Sequence, residues 1–225
     1  MRLRNIKGCR EIIAASRYTI AEERGGRTSF EDRYSWSVKG RWTEIFENDH
    51  PVRIEIGMGK GAFLMELARR HPQINYVGIE KYSSVLLRAV QKQDQEELPN
   101  VRLIRMEAEN INDVFAPGEV DRIYLNFSDP WPKEAHASRR LTSRIFLERY
   151  RGILKEQGKI EFKTDNKELF AFSMEEANAA GWKILAMTED LHNDPDLMKD
   201  NIMTEYETRW SQEGKAICAM HLERP

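Results

Sequence analysis

Val52 to His71 reads VRIEIGMGKGAFLMELARRH. Its opening, VRIEIG, has the β-branched content of a strand, and KGAFLMELARRH from Lys60 has the pattern of a helix closed by Pro72. Gly57, Gly59 and Gly61 crowd the turn between them. Glycines there permit positive φ and let the backbone approach a ligand at a helix N-terminus. The same alternation continues outward. INYVGIE, ending at Glu80, reads as a second strand, and SSVLLRAVQKQDQEE as a helix that Ser83 or Ser84 can cap. VRLIRM and VDRIYLNF are a third and a fourth strand. RRLTSRIFLERYRGILKEQ is a helix and KIEFKT a fifth strand; helix 167–180 then leads to strand WKILAMTE. YETRWSQ and AICAMHLER, around Glu213-Gly214, predict a closing antiparallel hairpin. Repeated βα units imply an α/β fold: a doubly wound, Rossmann-like, mostly parallel sheet covered on both faces. Ligands then belong beyond the carboxyl ends of the strands, near the topological switch point.

At 225 residues the chain suits one α/β domain that buries roughly 70% of its unfolded surface. With 40% apolar residues, 32% charged residues and a net charge of −2, it reads as a soluble globular protein. No apolar run approaches membrane-spanning length, and IIAA near the start is too short for the central region of a signal peptide, so a cytoplasmic location is expected. Cys9 and Cys218 lie at opposite ends and the five histidines are scattered. Neither a disulfide framework nor a metal site is indicated. WSVKGRWTEIF places Trp36, Trp42, Ile45 and Phe46 near helical spacing, a lead-in helix to the core. Residues 1–35 are expected to form a basic, flexible arm, and residues 36–225 a single domain. Charge is uneven: Met1 to Arg41 holds ten Lys and Arg against five Asp and Glu, and Lys133 to Arg151 six against two. Such runs are ordinarily solvated faces, yet two of them on one chain allow a polyanion partner.

The residues at the strand ends carry the chemistry. Gly57, Gly59 and Ala62 satisfy the dinucleotide pattern G-x-G-x-x-A, so a nicotinamide oxidoreductase is one reading; a glycine turn serving only helix packing is another. A phosphate-binding P-loop is excluded, since Lys60 is followed by Gly and Ala. Glu80 closes the second strand roughly twenty residues past the glycines, where a carboxylate suits ribose hydroxyls of an adenosine cofactor. Glu55 sits inside the first strand, where burial demands a partner; a salt bridge to Arg53 or Arg102 is the structural explanation. Glu107 follows the third strand and Asp129 the fourth. Four carboxylates on four successive strands suit a cationic, hydroxylated ligand. S-adenosylmethionine has that chemistry, whereas a pyrophosphate is repelled by such a row.

The fourth strand runs into YLNFSDPWPK, Tyr124 to Lys133. Asp129 and Trp131 each precede a proline, which predicts extended conformations and a stiff spur. Trp131 can stack on a base and Asp129 can accept hydrogens from a guanine edge, or the segment is a rigid turn with Trp131 covering the core. The Asp-Pro-Pro-Tyr-like loops of amino methyltransferases occupy a similar place, but the order Asp-Pro-Trp-Pro departs from them, leaving methylation of an amine as the enzyme alternative.

EIGMGKGAF, YVGIEKY, NFSDPWPK, RRLT, FKTDN and TEYE occur here in the order found in bacterial tRNA (guanine-N7-)-methyltransferases, class I S-adenosylmethionine-dependent enzymes, and the chain resembles that family over nearly its whole length. The resemblance implies methyl transfer from S-adenosylmethionine to N7 of guanosine 46 in the variable loop of tRNA. It implies that Glu55, Gly57, Gly59, Glu80, Glu107 and Asp129 line the cofactor site, with Asp129 also beside the target base as the catalytic group. Lys133, Asp165, Thr204 and Glu207 are then substrate-binding, and Trp131, Arg139 and Arg140 RNA contacts. No metal is implied, and either a monomer or a homodimer is compatible. KEAHASRR, from Lys133 to Arg140, is less basic than the family's loop; the N-terminal arm is expected to compensate. An RNA-binding module without catalysis is the remaining reading.

Overall fold

The computed structural model describes residues 6–20 and 37–225. Helix α1 (Cys9–Ala15) and strand β1 (Thr19–Ile20) precede α2 (Trp42–Phe46). Alternation then begins with β2 (Val52–Ile56), α3 (Ala62–Arg70), β3 (Asn75–Glu80), α4 (Ser83–Glu96) and β4 (Val101–Arg105). It continues through α5 (Ile111–Val114), β5 (Val120–Asn126), α6 (Arg144–Ile153), β6 (Leu154–Thr164), α7 (Lys167–Ala179) and β7 (Lys183–Thr188). The chain closes with α8 (Pro195–Met198), α9 (Glu205–Gln212) and β8 (Cys218–Glu223).

The described strands form one sheet in the order β1-β4-β3-β2-β5-β6-β8-β7. Neighbours are parallel except where β8 runs antiparallel to both β6 and β7. Chain order reverses between β2 and β5, which puts the topological switch point at the carboxyl end of β2. One face of the sheet packs Ile54, Ile123, Leu125, Ile160 and Phe162 against α5, α6 and α7. On the other, α1, α3 and α4 cover Tyr76, Val101, Leu103 and Tyr124. At β3 this packing depends on Gly78, where a Cβ would stand 2.1 Å from the Met58 sulfur and 2.8 Å from Leu64.

Several expectations need correction. YETRWSQ is not a strand: it lies within α9, whose start is a capping box. The Thr204 hydroxyl accepts from the Glu207 N–H at 2.9 Å, and the Glu207 carboxylate accepts from the Thr204 N–H at 3.4 Å. These paired bonds satisfy otherwise orphaned donors and outweigh the β-leaning composition of the stretch. The antiparallel strand is β8, and its sequence partner is β7. Neither Ser83 nor Ser84 caps α4; Tyr82 stands at the cap with no side-chain bond. Within the segment read as an arm, Cys9 and Ile13 are buried against α4, and β1 pairs with β4 through Thr19 and Ile20. Trp36 and Arg24 to Arg27 lie outside the described residues.

Candidate active site

The carboxyl ends of β2 to β5 converge on one cleft. Gly57, Gly59 and Gly61 all have positive φ, at 76°, 60° and 74°. A Cβ at Gly57 or Gly59 would meet nothing within 4 Å, so this turn faces open space. Beside it lies a cleft of about 470 Å³, lined by Gly57, Glu80, Lys81, Glu107, Asp129 and Trp131, with Tyr82, Arg139, Leu141 and Phe146 around them. It sits beyond the carboxyl ends of β2 to β5, at the switch point.

Glu80 is only 7% exposed, and its carboxylate is aimed by backbone donors: Gly59 N–H at 3.2 Å and Tyr82 N–H at 2.9 Å. Burial nonetheless pushes its pKa above the ordinary glutamate value. Glu107 and Asp129 are exposed at the cleft. Between them, burial works against the charge of Lys81, while Tyr82, Glu107 and Asp129 hold its pKa above the usual lysine value.

Glu55 does not line the cleft surface. It is 2% exposed on β2, and one carboxylate oxygen accepts from Asn126 Nδ2 at 2.9 Å while the other has no partner among the described residues. Burial pushes its pKa up to about 8. The salt bridge considered for it does not form: Arg53 pairs with Asp121 at 3.0 Å, and Arg102 donates to the carbonyls of Ile45, Pro99 and Val101. Asn126 is thus a site residue that sequence reasoning missed, although it stands three positions before Asp129.

The loop after β5 is held differently from the extended spur expected. Trp131 has φ 42°, in the left-handed region. The Arg140 guanidinium donates from Nε to the Pro130 carbonyl at 3.0 Å and from Nη2 to the Trp131 carbonyl at 3.1 Å, while lying over Phe172. These charge-assisted bonds turn the carbonyls inward and override the preference of a pre-proline residue. Arg140 is therefore committed to the loop. Arg139 covers the Trp131 ring at 5.1 Å, with His136 edge-on at 5.6 Å. Lys133 is exposed ahead of the 3-10 turn Glu134–Arg139 and does not line the cleft.

The Thr204 to Glu207 segment also differs. Glu207 is 0% exposed and lies inside a polar cluster: Lys163 Nζ donates to it at 2.6 Å, Asn201 Nδ2 at 2.7 Å, and His192 is 3.1 Å away. Burial alone would raise its pKa, but Lys163, Asn201 and His192 together hold it below the ordinary value. Lys163 donates further to the carbonyl of Ile202 at 2.9 Å. What this cluster presents outward is Tyr206, 43% exposed, whose hydroxyl donates to Asp165 at 3.3 Å and whose ring lies 4.8 Å from Phe127. Asp165 and Tyr206 thus stand together at the carboxyl edge beside the Asp129 loop, while Glu207 faces away.

No helix among the described residues is long and apolar enough to cross a membrane, and none of their side chains form a cluster that could hold a metal ion. A family model described as "Putative methyltransferase" matches residues 49–220. Among solved structures, the 16S rRNA methyltransferase KamB shares the fold with TM-score 0.65 at 13% identity, covering 91% of this chain and 100% of that one. A tRNA (guanine-N(7)-)-methyltransferase of Lachnoclostridium phytofermentans is 51% identical over 96% of this chain and 95% of its own length. One from a Geobacillus species is 45% identical over 100% and 96%. With the class I architecture and the cleft at its switch point, these relationships fix the assignment: the chain belongs to the tRNA (guanine-N(7)-)-methyltransferase family.

Proposed function

We propose that this protein transfers a methyl group from S-adenosylmethionine to N7 of guanosine 46 in the variable loop of tRNA, in the cytoplasm. The observation that carries the cofactor half is the row of carboxylates at the ends of three adjacent strands around one cleft, Glu80, Glu107 and Asp129, beside a glycine turn open to a ligand. Glu55 stands buried behind this row, held by Asn126. Glu80 would hold the ribose hydroxyls, Glu107 the adenine side, and Gly57 and Gly59 leave room for the chain of the cofactor. When bound, the cofactor supplies an electrophilic methyl on a sulfonium.

The residues of the protein then have a limited chemical task. N7 of guanine carries a free lone pair at neutral pH, so no general base has to remove a proton first. Binding and alignment dominate, and orientation of this kind contributes roughly 7–11 kcal/mol. Asp129, exposed on a loop that Arg140 pins, accepts hydrogen bonds from the guanine edge and stabilises the positive charge that develops on the base. Asp165 with Tyr206 offers a second polar and aromatic contact to the nucleoside. Trp131, already covered by Arg139, serves as the wall of the cofactor cleft rather than as a free stacking platform.

Titration calorimetry with S-adenosylhomocysteine tests the cofactor assignment. Micromolar binding that is lost in Glu80→Ala is the expected result. Binding of a nicotinamide dinucleotide in its place would overturn it.

A further inference from the structure

The two faces of the sheet are covered unequally. Along β5, β6 and β8, Tyr124 is covered by Phe63 of α3, but Arg122, Lys159, Glu161 and His221, which also point away from α5, α6 and α7, line a cleft beyond that helix. A second cleft of about 580 Å³ lies over this half of the sheet. Arg53, Arg122, Lys159 and Lys163 line it from the strands, Arg70 from the end of α3 and Lys199 from beyond α8. Against these six cations stand two carboxylates, Glu161 and Asp200, a formal surplus of four on a chain whose net charge is −2.

Not all of that charge is free. Arg53 is held by Asp121, Arg70 by Glu66, Arg122 by Glu161 and Lys163 by Glu207. Lys159 and Lys199 have no ion pair among the described residues, and the buried Nε of Arg122 has no acceptor. Phe63, Leu67, Leu197 and Ile202 form apolar walls. Such walls lower the local dielectric and strengthen the attraction of an anion to the cations beneath. The upper end of the cleft, at Asn126 and Lys163, adjoins Glu55 under the cofactor site.

We propose that this cleft is a second tRNA contact, holding the phosphate backbone of nucleotides that flank the target as they leave the active site along the open face of the sheet. The inference rests on the tRNA methyltransferase reading. It adds two lysines of the sheet face that are unpaired among the described residues, Lys159 and Lys199, to the loop from Lys133 to Arg140, which offers exposed Lys133 and Arg139 with Glu134 between them and Arg140 committed internally.

The test is the full chain carrying Lys159→Glu and Lys199→Glu, measured for tRNA Kd across salt from about 50 to about 200 mM. The expected result is an approximately tenfold rise in tRNA Kd at low salt and a plot of log Kd against log salt shallower by about one to two. The S-adenosylhomocysteine Kd, the melting temperature and kcat at saturating tRNA should stay unchanged. Lys159→Gln with Lys199→Gln should move Kd the same way by less. An unchanged Kd and salt slope would overturn the proposal, as would a shift in oligomeric state with tRNA binding intact, which would make the cleft a contact between copies. A wild-type protein that binds S-adenosylhomocysteine but not tRNA would remove the underlying reading instead, and this inference with it.

Discussion

Glu55 shows how one buried side chain links stability to ligand chemistry. Its folded pKa of about 8 lies above the ordinary value of 4.5, so between those limits the folded state keeps a proton that the unfolded chain has released. The contribution of Glu55 to stability is therefore fully present below about 4.5 and is lost as pH rises to about 8, with Glu80 acting in the same direction and Glu207, whose pKa is depressed, in the opposite one. Glu55→Gln should flatten the fall in melting temperature between pH 5 and pH 8, a change that thermal melts in a buffer series would reveal; an unaltered slope would mean that the proton resides elsewhere. Asp129 belongs to the chemistry instead. Because it is exposed and stabilises charge that appears only during transfer, Asp129→Ala should lower kcat by about a hundredfold while changing tRNA Kd by less than about threefold. The reverse pattern, normal turnover with weak binding, would assign it to substrate capture. Both acids are legible in the sequence, Glu55 as a carboxylate inside an apolar strand and Asp129 as the acid of the loop that follows another. The partner of Glu55 was not, because the pairing of β2 with β5 that brings Asn126 to it is a property of the sheet.

At the level of elements, α9 and the loop after β5 show what a linear reading loses. TEYE contains the capping-box spacing, but the β-leaning YETRW that follows obscured it, and the partner that stabilises the helix, Lys163, is 44 positions away from Glu207. Removing that partner leaves a carboxylate buried and unpaired, so Lys163→Met should cost about 3–5 kcal/mol in urea denaturation. Adding Glu207→Leu to it should recover much of the loss, because the unpaired charge goes with it. Thr204→Ala should cost about 1 kcal/mol through the lost cap. Likewise the two prolines of DPWP suggested an extended spur, and local preference would give one. Arg140, ten residues beyond Pro130, determines the outcome by drawing two carbonyls to its guanidinium. Arg140→Ala should raise the KM for tRNA and lower kcat together, since it frees the loop that carries Asp129.

For the whole molecule, the βα alternation read from Val52 onward specifies the doubly wound sheet, and it does so because each glycine turn and apolar strand reports its own place in the unit. The register, the unequal coverage of the two faces and the basic cleft over β5, β6 and β8 arise only when strands far apart in the chain become neighbours. The same assembly gathers the strand-end carboxylates into one cleft, and on that gathering the methyl-transfer account rests. Its most direct test is to incubate the purified protein with unmodified tRNA and methyl-labelled S-adenosylmethionine, digest the RNA and identify the labelled nucleoside. The account predicts label in 7-methylguanosine at position 46 of the variable loop, abolished when that guanosine is replaced; label in N6-methyladenosine, or at a guanosine outside the variable loop, would contradict it.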